Sequence, residues 1–346
     1  MSGHGHTDTD ASMMRRALQL AELGPVADPN PRVGAVVVGL EGHIVGEGYH
    51  RGAGSAHAEV AALAMARDHA VGGTAFVTLE PCNHTGRTGP CSRALLDSGV
   101  TRVVYAQPDP SVPAAGGAAA LRAAGVQVDG GLLAHDAEIL NKAWTFAVLH
   151  ARPWVTWKFA STLDGRSAAA DGTSRWITGP AARADVHELR ATAGAILVGT
   201  GTILADDPSL TVRHPDGSQR TQQPLRVVMG RRAIPDTACV LDDSARTLRL
   251  TERNPIAALT VLAKVGIRHV WLEGGPTLAA AFLAVRLVDE VVAYLSPTLL
   301  GAGRPAVSDL GVHTIDGALR LLPHDVTCIG PDIRVRASID HTKDQQ

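Results

Sequence analysis

Short continuous apolar runs recur along this chain, separated by stretches whose apolar residues return at helical spacing. In the first half the runs lie at 33–38, 74–79 and 102–107, and each reads as a strand buried on both faces. A hairpin through Gly42 leads to a further strand at 44–49, and a short one is expected at 126–128. Helical spacing predicts a helix over 13–23, with Ser12 as cap, Met13, Ala17, Leu20 and Ala21 on one face and Gly24-Pro25 as its stop. Further helices are expected over 56–70, 91–98, an alanine-rich stretch ending near Gly125, and 136–149. Strand pattern restarts at Trp154, where W-V-T-W-K-F-A alternates over 154–160, and apolar runs follow at 195–199, 225–229, 246–251 and 269–272. Helices opened by Pro180 and Pro276 lie between them. Strands alternating with helices imply an α/β fold with largely parallel sheets.

Length changes this picture from one domain to two. At 346 residues the chain exceeds an average domain, and the restart after Ala151-Arg152-Pro153 divides it into 12–150 and 151–340 with no flexible linker visible. Hydrophobic residues make up 45% and charged residues 19%, with 36 glycines, as in a globular enzyme rich in tight turns. A net charge of -2 gives no basic excess for tracking a nucleic-acid backbone, so a small-molecule substrate is expected and no nucleic-acid partner. No apolar run is long enough to span a membrane, and the first ten residues lack a signal-like pattern, which points to the cytoplasm. Cys239 and Cys328 lie far apart and suggest no disulfide framework.

The chemistry concentrates in H-A-E-V at 57–60 and E-P-C-N-H-T-G-R-T-G-P-C at 80–91. His57 offers an imidazole nitrogen and Cys82 and Cys91 two thiolates, three ligands that leave the fourth position of a tetrahedral zinc open to water. Glu59, two residues on, is placed to shuttle protons without ligating the metal. His-x-Glu followed by Pro-Cys and a second Cys is the order of the zinc deaminases, in which the attacked carbon bears an amino group. The eight residues between the cysteines, where two are usual, set this chain apart. Upstream, Pro29 and Pro31 hold an extended loop in which Asn30 presents an amide suited to a heterocycle or ribose edge; a simple turn asparagine reads equally well.

In the second half, Lys158 near a strand end can hold an anion or serve as surface charge. Gly199-x-Gly201 follows an apolar strand, and Gly274-Gly275 precedes the helix at Pro276, where free N–H groups can cradle a pyrophosphate. The G-x-G-x-x-G fingerprint is absent, which disfavours a plain Rossmann dehydrogenase.

Together with P-N-P-R-V-G and G-E-G-Y-H-R-G-A-G-S-A-H-A-E, the long cysteine loop resembles the deaminase half of the bifunctional riboflavin-biosynthesis deaminase/reductase family, which carries the same insertion. K-F-A-S-T-L-D-G-R, S-R-W-I-T, G-T-I-L-A-D-D-P-S-L-T-V-R and E-G-G-P-T-L resemble its reductase half. The likeness covers roughly residues 12–338. It implies a cytidine-deaminase-like α/β/α zinc domain followed by a dihydrofolate-reductase-like α/β domain that binds NADPH. In the deaminase half it gives His84 and Arg87 roles in gripping heterocycle and phosphate. In the reductase half it assigns Ala160, Trp176, Thr202, Asp206, Gly275, Pro276, Thr277, Leu278, Ala279, Ala280 and Ala281 to the cofactor. Ser174, Arg190, Leu210, Arg213 and Glu273, with Lys158, fall on the substrate side. Arg32 and Gly89 depart from the family, which often has Asn and Pro there.

The implied activity is zinc-dependent deamination of a phosphoribosyl pyrimidine, followed by NADPH-dependent reduction of its ribosyl to a ribityl chain, in a homo-oligomer (dimer or tetramer). Competing readings are a deaminase acting on a flipped nucleic-acid base, a non-catalytic zinc-stabilised binding protein, and a chain with only one active half.

Overall fold

A computed structural model describes residues 6–84, 89–112 and 114–340 and divides the chain into two units meeting between Ala151 and Arg152. The first contains, in order, α1 (Asp8–Glu22), β1 (Gly34–Val38), β2 (Ile44–Tyr49), α2 (Ala58–Ala66), β3 (Thr74–Leu79), α3 (Cys91–Asp97), β4 (Arg102–Gln107), α4 (Gly117–Ala123), β5 (Gln127–Gly130), α5 (Ala134–Leu140) and α6 (Lys142–His150). Its sheet runs β2-β1-β3-β4-β5. The expectation of a largely parallel sheet holds for β3, β4 and β5 only. The β1–β2 hairpin reverses the chain and leaves β1 antiparallel to both its neighbours. One face is covered by α2, α3 and α4 through Ala58, Ala62, Leu95 and Leu121, the other by α1 and α5 through Met14, Ala17, Leu20 and Ala137.

Three helix boundaries differ from the apolar pattern. Helix α1 starts at Asp8, well before Ser12, because Thr7 and Asp10 form a reciprocal capping box and Arg102 on β4 pairs with Asp10 at 2.8 Å. The helix expected over 56–70 ends at Ala66 and tightens into a 3-10 turn, Arg67–Ala70; His57 is its N-cap residue and stands outside the first turn. The helix expected over 136–149 is two helices. Asn141 breaks it, and its buried amide makes two 2.9 Å hydrogen bonds to the backbone of Arg32.

Glycine sets how closely the helices approach this sheet. A Cβ on Gly34 would lie 2.0 Å from the Ala17 carbonyl oxygen of α1. On β2, a Cβ on Gly48 would lie 2.4 Å from the Ala58 carbonyl oxygen of α2. Bare backbone at these positions seats α2, and with it Glu59, directly on the sheet.

The second unit contains β6 (Trp154–Thr162), β7 (Arg166–Ala168), α7 (Pro180–Arg190), β8 (Ala195–Gly199), α8 (Thr200–Asp206), β9 (Leu225–Met229), β10 (Thr247–Leu250), α9 (Pro255–Lys264), β11 (His269–Leu272), α10 (Pro276–Ala284), β12 (Glu290–Ser296), β13 (Arg304–Pro305), β14 (Leu321–Ile329) and β15 (Asp332–Ile339). Its main sheet runs β10-β9-β8-β11-β6-β12-β15-β14, parallel from β10 to β12 and antiparallel over the last two strands. Val155, Leu197, Val227, Leu259 and Phe282 pack on one face, and Ile196, Val198, Val228, Trp271 and Tyr294 on the other. Burial on both faces is why these strands read as unbroken apolar runs.

Candidate active sites

In the first unit β3 ends at Leu79 and delivers Cys82 to the sheet's carboxyl edge, while Cys91 opens α3 and His57 caps α2. Their ligand atoms all lie within 4.8 Å of one another. The imidazole Nδ1 of His57 stands 3.1 Å from Cys91 Sγ and 3.6 Å from Cys82 Sγ, so Nδ1 is the nitrogen facing the site. The Cys91 N–H donates to Cys82 Sγ at 3.4 Å. Two soft thiolates and an imidazole in this compass suit tetrahedral zinc.

The two sulfurs shift each other's proton affinity in opposite directions. Hydrogen bonding from the Cys91 thiol, then His57 and the Cys91 N–H, pull Cys82 down to about 4 against burial. The Cys82 thiolate and burial push Cys91 far up, and a bound dication would displace that proton. The Cys82 thiolate raises His57 against the effect of burial. Glu59 is 5% exposed, and burial raises its carboxyl above the usual range while His57 opposes the shift.

Two residues not anticipated from sequence support these groups. His50, 6% exposed, packs edge-on against the His57 ring at 5.8 Å and reaches Asn30 Nδ2 at 3.2 Å and the Ala56 carbonyl at 3.2 Å. The anticipated Asn30 is thereby tied to the metal-side histidine. Glu80 accepts hydrogen bonds from the N–H groups of Asp109, Gly116 and Ala118, fixing the loops around Cys82. His84 is exposed two residues beyond Cys82, and Arg87 lies outside the described residues. Arg32 points elsewhere, its guanidinium donating to the Glu22 carbonyl at 2.5 Å. Among the described residues nothing lies within 4 Å of where a Gly89 side chain would begin. Neither departure from the family reaches the metal ligands.

In the second unit Arg190, at the end of α7, makes a two-pronged ion pair with Glu273 after β11, both bonds at 2.5 Å. Burial alone would raise the Glu273 carboxyl, but Arg190, Lys158 and the Trp271 indole N–H hold it down to about 2. Lys158 lies 5.9 Å from the centre of the Tyr294 ring, and burial lowers its ammonium pKa against the pull of Glu273. Arg213 is held loosely, donating to Thr211 Oγ1 at 3.3 Å and the Gly217 carbonyl at 3.5 Å. Leu210 is buried at φ +52° beside Thr211, and Ser174 is half-buried. Sequence placed Arg190 and Glu273 on one side but gave no sign that they pair.

Cofactor candidates gather at the carboxyl ends of β6, β8 and β11. Ala160 lies on β6. Thr202 and Asp206 lie on α8, and a Cβ on Gly275 would come 3.8 Å from Thr202 Oγ1, so the turns after β8 and β11 adjoin. Gly275 caps α10, with Pro276, Thr277 and Leu278 in its first turn; proline has no N–H and the Leu278 N–H donates to the Gly275 carbonyl at 3.0 Å, which leaves the Thr277 N–H without an acceptor in the helix. The side chains of Ala279 and Ala280 are buried and that of Ala281 is half-buried, which leaves the first turn as the open part of this segment. Trp176 is exposed, with the Arg183 guanidinium 4.5 Å above its ring. The half-buried His187, one helical turn before Arg190, was not anticipated; burial and then Arg190 keep it below its ordinary pKa.

Comparison with known proteins agrees with both halves. Residues 7–107 match the cytidine and deoxycytidylate deaminase zinc-binding region, and residues 153–335 match the RibD C-terminal domain. The riboflavin biosynthesis protein RibD of Mycobacterium tuberculosis H37Rv is 51% identical over 306 residues, covering 88% of this chain and 90% of that protein. Escherichia coli RibD is 41% identical and covers 94% of this chain and 98% of its own length. Among solved structures, Acinetobacter baumannii RibD superposes with TM-score 0.89 at 39% identity, over 96% of this chain and 99% of that one. A Thermotoga maritima diaminohydroxyphosphoribosylaminopyrimidine deaminase/5-amino-6-(5-phosphoribosylamino)uracil reductase does so with TM-score 0.85 at 32% identity, with the same coverage.

Proposed function

Because this chain belongs to the RibD family and is a deaminase/reductase of riboflavin biosynthesis, with a zinc-binding deaminase region and an NADPH-dependent reductase domain, we propose how its residues divide the work. The first unit deaminates 2,5-diamino-6-(5-phosphoribosylamino)pyrimidin-4-one. The second reduces the ribosyl group of 5-amino-6-(5-phosphoribosylamino)uracil to a ribityl chain.

In the deaminase unit His57, Cys82 and Cys91 hold zinc, which when bound supplies the Lewis acidity that makes water a nucleophile near neutral pH. The observation that carries this reading is the buried Glu59 carboxyl beside a three-ligand set. Burial raises its proton affinity above the ordinary carboxyl value, which suits a group that would accept a proton from water and return it to the departing amine. Asn30, His84 and Arg87 bind the pyrimidine and its phosphate. Asn30 is oriented through His50, so its amide is fixed before substrate arrives.

In the reductase unit bound NADPH supplies the hydride. Ala160, Trp176, Thr202, Asp206 and the segment from Gly275 hold the cofactor, with the first turn of α10 set toward its phosphates. Substrate binds through Lys158, Ser174, Arg190, Leu210, Arg213 and Glu273. Glu273 fixes the Arg190 guanidinium in one orientation, whereas the loosely held Arg213 is available to a ribose-phosphate dianion.

Among the described residues no helix is long and apolar enough to cross a membrane; the cytoplasm is the location we propose, in keeping with four cysteines that suggest no disulfide framework. A homo-oligomer is supported by the edge strand β14, where Leu321, Leu322 and Val326 are exposed; sedimentation velocity would report its size.

The test separates the two activities. Purified protein is given the diamino substrate with and without NADPH, and ammonia release and NADPH absorbance are followed independently. Glu59→Gln should lower ammonia release by at least about a hundredfold, keep its zinc, and still oxidise NADPH when given the deaminated intermediate. Ammonia release at the wild-type rate would overturn the role of Glu59.

A further inference from the structure

We propose that His187 is a specificity-determining residue of the reductase unit, whose imidazole takes up a proton from solvent as the substrate's phosphate dianion binds and then donates to it. The proposal deepens the reading that Arg190 and Arg213 lie on the substrate side, and it rests on that reading.

Helix α7 ends in a ring of positive charge. His187 and Arg190 stand one turn apart on the same face of its last turn. The segment that follows α8 turns back over this helix end. There the Thr211 carbonyl accepts from Arg190 Nη1 at 3.4 Å and Thr211 Oγ1 accepts from Arg213 Nε at 3.3 Å, so a single threonine stands between the two guanidiniums. Gln223 clamps the return of the segment, bonding the N–H and the carbonyl of Val212 at 2.7 and 2.8 Å. Arg220 then reaches Glu188, the neighbour of His187 on α7.

The acids nearby do not cancel this charge. Glu273 is engaged by Arg190 and the exposed Glu188 by Arg220, whereas the hydrogen bonds of Arg213 go to neutral oxygens among the described residues. Two buried nitrogens of the ring, His187 Nδ1 and Arg220 Nε, have no hydrogen-bond partner among the described residues. Buried polar atoms are otherwise matched in folded proteins, and an anion carrying several acceptor oxygens would match these.

Burial and then Arg190, with Arg213 and Arg220, keep the imidazole below its ordinary pKa against the pull of Glu273. It is therefore neutral above about pH 6.5. A phosphate dianion entering the ring reverses that balance, because two negative charges favour the imidazolium. The carboxyl end of a helix favours it too. The protonated ring donates from both nitrogens, so Nδ1 gains a partner in a phosphate oxygen. A sugar without phosphate brings neither the charge nor the acceptor, and discrimination follows.

The test is calorimetric titration of the full chain with ribose 5-phosphate and with ribose. It is run at about pH 7.5, where the phosphate is already a dianion, in two buffers of different ionisation enthalpy. Wild-type protein should take up about half a proton or more per ribose 5-phosphate bound. His187→Gln keeps a hydrogen-bonding amide but cannot titrate; it should abolish the uptake and weaken ribose 5-phosphate about threefold to tenfold, and His187→Leu about tenfold or more. In turnover of the deaminated intermediate the loss should appear in KM, and the rise of wild-type KM from about pH 6.5 to 8.5 should flatten in His187→Gln. Undiminished proton uptake by His187→Gln, equal weakening of ribose and ribose 5-phosphate, or unchanged ribose 5-phosphate affinity in a His187→Leu variant that melts like wild type would each overturn the proposal. An Arg213→Ala variant that bound ribose 5-phosphate as tightly as wild type would instead remove the substrate-side reading beneath it.

Discussion

Histidine 269 carries the clearest pH dependence at the scale of single residues. It is half-buried on β11, with Nε2 2.9 Å from Thr156 Oγ1 and Nδ1 3.1 Å from the Thr192 carbonyl, and loss of solvent around the ring holds its pKa below the ordinary value. The unfolded chain therefore binds this proton more readily than the folded one. Stability contributed here is complete above about pH 6.5 and is lost as pH falls below that value toward the folded pKa. Denaturant titrations at pH 7.5 and 5.5 should show the loss, and His269→Gln should flatten it; an unchanged slope would assign the dependence elsewhere. Glu273 works in the other window. Its folded pKa near 2 means that its pairing with Arg190 stabilises the unit above the ordinary carboxylate range and fades as pH falls from about 4.5 to 2. Residues whose chemistry demands a fixed spacing were legible from sequence: His57, Glu59, Cys82 and Cys91 announce themselves as a set. His50 and Glu80 did not, because each acts through contacts with residues distant in the chain, and no local pattern records a histidine's partner or a carboxylate's three N–H donors.

At the scale of elements, apolar period located the strands of the first unit, the second unit's strands β6 and β8 to β11, and most helices, but not what ends or starts them. The start of α1 lies in a polar run, T-D-T-D, that only the Thr7–Asp10 box and the Arg102 pair make helical. The break between α5 and α6 comes from an asparagine needed by a loop more than a hundred residues earlier in the chain. The glycines of β1 and β2 were visible as letters, but their use was not, since a strand glycine reads as mere weakness until a helix lies on it. Gly48→Ala should therefore destabilise the first unit by about 1–3 kcal/mol, the usual range for overpacking, and lower zinc affinity because α2 carries Glu59 and follows His57. Zinc stoichiometry after dialysis, measured beside a melting curve, checks both halves of this expectation. A variant that retained zinc and stability would show that α2 can shift without cost.

For the whole molecule, two units each with a core of its own predict two unfolding events. Removing zinc with a chelator should lower the melting temperature of one and leave the other in place, and saturating NADPH should raise the second, by mass action on whichever state binds. Calorimetric scans with each addition would decide this; a single transition moved equally by both would mean that the units unfold together. The order of strands also bears on how the protein is made. Strand β6 opens the second unit, yet both its partners, β11 and β12, come more than a hundred residues later. At ribosomal speeds that interval is on the order of ten seconds. During it the zinc unit, whose sheet is already complete in sequence, can close, while β6 waits with both edges unpaired. A message cut short before β12 would thus leave a finished deaminase fold trailing an unmatched, sticky strand, which makes the last quarter of the gene the region where truncations should produce aggregation as well as lost reductase.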